Sequence, residues 1–291
     1  MGRYSPSRGS LVLAALLLIA VSMILWTAAN RRGRPGSHEG SVAGQNRSEE
    51  RLQPTDRNIT ITIIYDNNRF DERLRPDWGF SCLIRGLEKT ILFDTGASGE
   101  ILLSNMQVLG IAPEEVEVIV ISHIHGDHVG GLLDLLERNT HVEVWLPESF
   151  PERLKGKIKA KGARIVEVTA PAKILSQAYT TGEMGAVREQ SLIVAAEKGL
   201  VVITGCSHPG ILNIVSRAKS LLDEEVYLVL GGFHLAGTSA ESIGTIASGL
   251  KTLGVSRVAP LHCSGDTARQ IFREYYDDRC ILGGVGLVIR I

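Results

Sequence analysis

Between Val116 and Leu133 the chain reads V-E-V-I-V-I-S-H-I-H-G-D-H-V-G-G-L-L. A β-branched run from Val116 to Ile121 has the make-up of a buried strand, and it breaks into His123, His125, Asp127 and His128. Imidazole and carboxylate are ligands that a divalent ion such as zinc prefers, at roughly 2.0–2.2 Å. In an extended loop His123 and His125 can point to one side and clamp one ion. Asp127 and His128, at the turn, can aim at a second. Gly126 and the pair Gly130 and Gly131 let the backbone turn tightly around them. A merely solvated loop would not gather so many ligand-type side chains at one strand end. The stretch reads as a metal site.

Other expected strands end on similar chemistry. Asp94 closes Thr90 to Phe93; Cys206 and His208 follow Leu200 to Thr204; His234 follows Val226 to Leu230; His262 follows Arg257 to Leu261. The last three of these units each run strand, ligand-type residues, helix. Their helices carry Ile211, Val215 and Ala218, then Ile243, Ala247 and Leu250, then Ile271 and Phe272 on one face. Further strands are expected at Ile59–Tyr65, Phe80–Ile84, Val142–Leu146, Ala163–Val168, Ile281–Leu282 and Gly286–Ile289. A helix around Ile101 to Leu109 should stop at Gly110. Another should run from Leu132 to about Glu137, and a short one from Glu148 to Leu154. Thr180 to Glu189 has no periodicity and reads as a loop approaching the site. Alternating strands and helices, with hairpin-like strands crowding the start, predict an α/β fold of two sheets covered by helices, a four-layer αββα sandwich. Functional residues then collect outside the strand ends.

With 291 residues, 44% hydrophobic and 22% charged, the chain can bury a full core. A formal net charge of -1 offers no basic field, so no nucleic-acid partner is expected. The four cysteines, Cys82, Cys206, Cys263 and Cys280, form neither a zinc-ribbon nor a disulfide-framework pattern.

Four segments are expected. Residues 1–10 are a short N-terminal segment, and residues 11–29 an uncharged run flanked by arginines. At about 1.5 Å per residue that run nearly crosses a hydrocarbon core about 30 Å thick. It is taken as an N-terminal transmembrane helix that anchors the protein to a membrane, with cleavage after Thr27-Ala28-Ala29 as the alternative and the orientation open. Residues 30–57, rich in Gly, Ser, Arg and Glu, read as a flexible tether, and residues 58–291 as the catalytic domain.

From Ile59 onward the chain resembles the metallo-β-lactamase fold, through F-D-T-G at Phe93–Gly96, S-H-I-H-G-D-H-V-G-G-L at Ser122–Leu132 and the late His262. More narrowly it resembles the dihydropterin-methyl-ribofuranosylaminobenzene phosphate synthases and their relatives. The matching pieces are W-G-F-S (Trp78–Ser81), E-Q-S-L (Glu189–Leu192), T-G-C-S-H-P-G (Thr204–Gly210), G-G-F-H-L (Gly231–Leu235) and H-C-S-G-D (His262–Asp266). The resemblance implies a site for one or two metals, here expected as two zinc ions, with iron or manganese as the other candidates. His123 and His125 would hold the first, and Asp127, His128 and His262 the second. Asp94 would steady the ligand loop. Most of the superfamily places a further histidine before the strand that here is Leu200–Thr204; this chain has none there, and His208 is its substitute. Cys206 is either a bridging or additional ligand or a small buried residue. His234 would bind substrate or relay a proton, and Asp66, Asn67 and Glu189 would line the mouth. Cys263, on a strand-like backbone, should point away from its neighbour His262 and pack.

The reaction expected first is metal-dependent hydrolysis of a small ester, lactone or phosphoester. Two cations would lower the pKa of a shared water from about 15.7 to about 7. Asp127 would orient that water and His234 would protonate the leaving group. The alternatives are a synthase joining a dihydropterin to a ribofuranosylaminobenzene phosphate, a non-catalytic metal-binding domain, and iron-based redox chemistry. For the last, a glutamate would be expected where this chain has His125.

Overall fold

In the computed structural model of the protein the described residues are 58–291. The apolar, β-branched runs pair into two sheets. The first holds β1 (Thr60–Tyr65), β2 (Ser81–Arg85), β3 (Ile91–Phe93), β4 (Val118–Val120), β5 (Glu143–Pro147), β6 (Arg164–Val168) and β13 (Val288–Arg290), in the order β13-β1-β2-β3-β4-β5-β6. The second holds β7 (Ala172–Leu175), β8 (Ala178–Thr180), β9 (Leu192–Ala196), β10 (Gly199–Thr204), β11 (Val226–Gly232) and β12 (Arg257–Leu261), in the order β12-β11-β10-β9-β8-β7. In each sheet one half is antiparallel and the other parallel: β3 to β6 in the first, β10 to β12 in the second.

Side chains alternate across a strand, and here both faces are apolar. Ile91 and Phe93, Val118 and Val120, Val201 and Ile203, and Leu228 and Leu230 meet between the sheets. The intervening Leu92 and Ile119 face outward under α1 (Gly99–Val108), α3 (Leu132–Arg138) and α4 (Glu152–Ala160). Leu200, Val202 and Val229 do the same under α5 (Ile211–Leu222), α6 (Ala240–Thr252) and α7 (Asp266–Tyr276). Three cores separate four layers, as the sequence predicts. A further single turn, α2 (Gly126–Val129), lies inside the histidine motif.

Local departures have local causes. The helix expected from Glu148 to Leu154 begins after Pro151, whose fixed φ and missing N–H suit a helix start. The expected strand at Ile281–Leu282 is reduced to one hydrogen bond from Ile281 N to Val258 O (2.8 Å). Strands β7 and β8 are too short to show a period in the sequence.

The membrane-spanning helix expected at residues 11–29 is corrected. No helix among the described residues is long and apolar enough to cross a membrane, and the run itself lies outside the described residues, as does the tether. The longest described helix, α6, has 13 residues. At about 1.5 Å per residue it falls well short of a hydrocarbon core about 30 Å thick. It also carries Glu241 and Lys251. The membrane anchor, the membrane as partner and the membrane localisation are withdrawn with the helix.

The turn holding the histidine motif is packed backbone against backbone. A Cβ at Gly130 would lie 2.1 Å from the Ala97 carbonyl oxygen, far inside contact distance. Gly130→Ala is therefore expected to cost about 2–3 kcal/mol and to displace Asp127 and His128. Calorimetric melting and the metal content of the purified variant check both effects.

Candidate metal centre

The site forms where the carboxyl ends of β3, β4, β10, β11 and β12 converge. Its base is Asp94, fully buried just after β3. The carboxylate accepts from Ser122 N, Ser122 Oγ and His128 Nδ1, each at 2.7 Å. Ser122 has one hydroxyl proton, and it goes to Asp94. At 2.9 Å its oxygen therefore accepts from His123 Nδ1. One carboxylate thus fixes two imidazoles so that each turns Nε2 toward the cavity.

Burial opposes charge on His128, yet the Asp94 and Asp127 carboxylates outweigh it and lift the group to about 10. A cation is the other species able to balance those two carboxylates. Burial, then the neighbouring His128, His125 and His208, push His123 far down and keep it neutral.

The second sheet supplies the opposite wall. The His262 backbone N–H donates to Asp66 Oδ2 at 2.8 Å. Its Nδ1 donates to Asn67 Oδ1 at 3.0 Å, an oxygen oriented by the Asn67 amide's own bond to the His262 carbonyl (3.3 Å). Burial pushes Asp66 up to about 6 against the N–H groups of Asn68 and His262. Glu189 is buried behind the Cys206–His208 loop and accepts its three backbone N–H groups at 2.9, 2.9 and 2.7 Å. Burial raises Glu189, and those same three donors oppose the rise. Burial first, then His234 and His125, lowers His208 to about 4.

Among the described residues three sets present donor atoms within 4.8 Å of one another: Asp127, His128, Cys206 and His262; His123, Cys206 and His208; and Cys206, His234 and Cys263. His125 Nδ1 lies 3.0 Å from His123 Nε2, and its ring stands edge-on to His208 at 4.8 Å. The residues fit a divalent ion on their own terms. Nε2 of His208 and Nε2 of His262 are buried without a hydrogen-bond partner, although Asp127 Oδ2 is only 3.2 Å from the latter. A buried polar atom left unpaired is costly, and a metal would satisfy both. Nitrogen, oxygen and sulfur donors together suit zinc.

The structure thus gathers His123, His125, Asp127, His128, Cys206, His208 and His262 around one cavity, with the exposed His234 ring tilted against His208, centroids 4.4 Å apart. Asn67 and Glu189 are engaged in holding ligand residues. His141 lies exposed beside Thr140, and His38 is outside the described residues. Sequence reading passed over Ser122, whose hydroxyl is an ordinary strand-end feature until Asp94 is seen beneath it. It also misplaced Cys263: residues His262–Ser264 form a 3-10 turn, so strand alternation does not apply. Cys263 Sγ sits 3.4 Å from Cys206 Sγ. The neighbouring thiol, then burial, raises Cys206 strongly, and a bound cation is what would deprotonate such a group.

Four residues here, Asp94, Ser207, His234 and His262, hold φ values of 55°, 63°, 53° and 44°. Left-handed backbone is uncommon for residues other than glycine and gathers at functional sites.

Two sheets covered by helices, with a buried His/Cys/Asp cluster at their strand ends, define a metal-dependent enzyme of hydrolase type. The chain belongs to the metallo-beta-lactamase superfamily, whose sequence pattern matches residues 75–217. A 7,8-dihydropterin-6-methyl-4-(beta-D-ribofuranosyl)-aminobenzene-5'-phosphate synthase of Methanocaldococcus jannaschii is 31% identical over 272 residues, covering 76% of this chain and 92% of the relative. A crystal structure of a metal-dependent hydrolase of the beta-lactamase superfamily superimposes with a TM-score of 0.68 at 28% identity, over 80% of this chain and 99% of that one. The short form of human tRNase Z shares the fold at 15% identity, with a TM-score of 0.56 over 79% of this chain and 98% of its own.

His262→Ala or His128→Ala is expected to lose at least one metal equivalent by elemental analysis. Asn67→Ala, which frees the His262 ring, should weaken metal affinity about 10–100-fold. Wild-type occupancy in all three variants would refute the ligand sets.

Proposed function

We propose that the chain holds two zinc ions, the first on His123, His125 and His208 and the second on Asp127, His128 and His262, with Cys206 within reach of both. Bound there, the ions would supply Lewis acidity and lower the pKa of a bound water. The residues of the chain do the rest. Asp94 keeps His128 and, through Ser122, His123 in register. Asp127 faces the cavity between the two sets and orients the incoming nucleophile. His234, exposed at the rim, exchanges the proton with solvent.

The reaction we assign is a substitution of the synthase type, joining a dihydropterin to a ribofuranosylaminobenzene phosphate. The observation that carries this is the 31% identity to the synthase over 92% of that protein's length. The bond formed runs from the pterin's methyl carbon to the aromatic acceptor. The bond broken releases an oxygen leaving group, and the acceptor's proton passes to His234. The 0.68 TM-score match to a metal-dependent hydrolase supports a second reading, in which water replaces the aromatic acceptor and an ester, lactone or phosphoester is cleaved.

Zinc-loaded enzyme incubated with both partners, the pterin carrying a phosphate-type leaving group, should give the coupled product by mass spectrometry. Free hydroxymethyl pterin alone would establish hydrolysis instead, and no turnover of either kind would overturn the synthase assignment. His234→Ala is expected to lower kcat by about 10²–10⁴-fold at unchanged metal content, which steady-state kinetics and elemental analysis measure together.

A further inference from the structure

Beside the metal centre, on the second-sheet side, lies a cavity of about 340 Å³. His208 and His234 form the wall it shares with the ligand cluster, and Ile211, Leu212, Phe233, Leu235 and Ile246 contribute to the remainder. Its volume is at the lower end for small-molecule sites, which run from about 300 to 1,000 Å³. Two of the polar side chains around it are already engaged. Ser207 Oγ donates to the Gly232 carbonyl at 2.6 Å, and the Asn213 amide donates to the Pro209 carbonyl at 2.8 Å. The rest is a largely apolar recess bordered by two imidazole rings whose centroids are 4.4 Å apart and tilted by 52°. Phe233, 2% exposed, is backed by an edge-on contact with Phe272 at 5.4 Å.

We infer that this recess is the specificity pocket of the site and takes an aromatic ring of the substrate, set directly beside the reacting centre. The inference rests on the metal-dependent reading of that centre. Imidazole rings on one side and aliphatic side chains on the other favour a planar apolar group over a polar chain, since the Ser207 and Asn213 side chains are already engaged. The left-handed backbone of His234 (φ 53°) turns its ring over His208 at the junction of pocket and metal site. His234 is therefore placed to stack on such a ring as well as to exchange a proton.

The test uses the zinc-loaded protein and two inert anions, methylphosphonate and phenylphosphonate, with affinities measured by titration calorimetry. Phenylphosphonate should bind at least about tenfold more tightly, since its ring leaves water for the recess. Ile246→Phe, which fills the recess from α6, should bring the two affinities within about threefold of each other. Ile246→Ala, which enlarges it, should extend the preference to naphthylphosphonate. Equal affinities in the wild-type protein, or a phenyl preference that survives Ile246→Phe, would overturn the pocket. Failure of both phosphonates to bind, with two zinc ions present, would instead overturn the reading of the metal centre from which the pocket follows.

Discussion

The buried carboxylate of Asp94 is the interaction on which the rest depends. A carboxylate removed from water needs several strong donors, and Asp94 receives Ser122 N, Ser122 Oγ and His128 Nδ1 at 2.7 Å each. Those donors belong to the loop after β4 and to α2, so satisfying one charge fixes the strand end, the turn and two imidazoles together. Thr95 repeats the connection through the His128 carbonyl, which accepts from its N–H and its hydroxyl at 2.8 Å each. Because the β3–β4 pairing is parallel, these groups meet at adjacent carboxyl ends with no intervening turn.

The opposite wall solves the same problem with different chemistry. Glu189 is no nearer to being a ligand than Asp94, yet it organises three consecutive backbone N–H groups and so shapes the loop presenting Cys206 and His208. Asp66 and Asn67 do this for His262. Left-handed backbone at four non-glycine residues costs about 1–3 kcal/mol at each. At Asp94, Ser207 and His262 these buried networks hold the strained conformers in place.

Much of this was legible in the sequence. Strand-end placement of Asp94, the histidine motif, Cys206, His208, His234 and His262 could be read from β-branched runs that stop abruptly, and the four-layer arrangement follows from the alternation of strands and helices. What escaped was set by tertiary contact. Ser122 matters only because a carboxylate lies beneath it, and Cys263 turns toward Cys206 because a 3-10 turn replaces the strand rhythm. Asn67 and Glu189 were placed at the mouth by family position, whereas in the fold they act from behind the residues they support. The apolar run near the N-terminus illustrates the opposite failure: its length, apolar composition and flanking arginines proposed a membrane span, and no described helix has the length and apolar character of one.

One wall of the cavity joins opposite ends of the globular chain: Asn67 and the histidine it orients are 195 positions apart. A ribosome releases the histidine motif while α5, α6 and α7 are still unmade, so the nascent first half holds only part of a coordination shell. Ion capture at full strength must wait until β12 has emerged and docked. Domains dominated by such distant pairings fold slowly, and ion binding to the completed shell would add its free energy to the native state alone. If metal is bound there, acquiring it would be the closing step of maturation, and the supply of metal would act on how much finished enzyme accumulates as well as on how fast each molecule works.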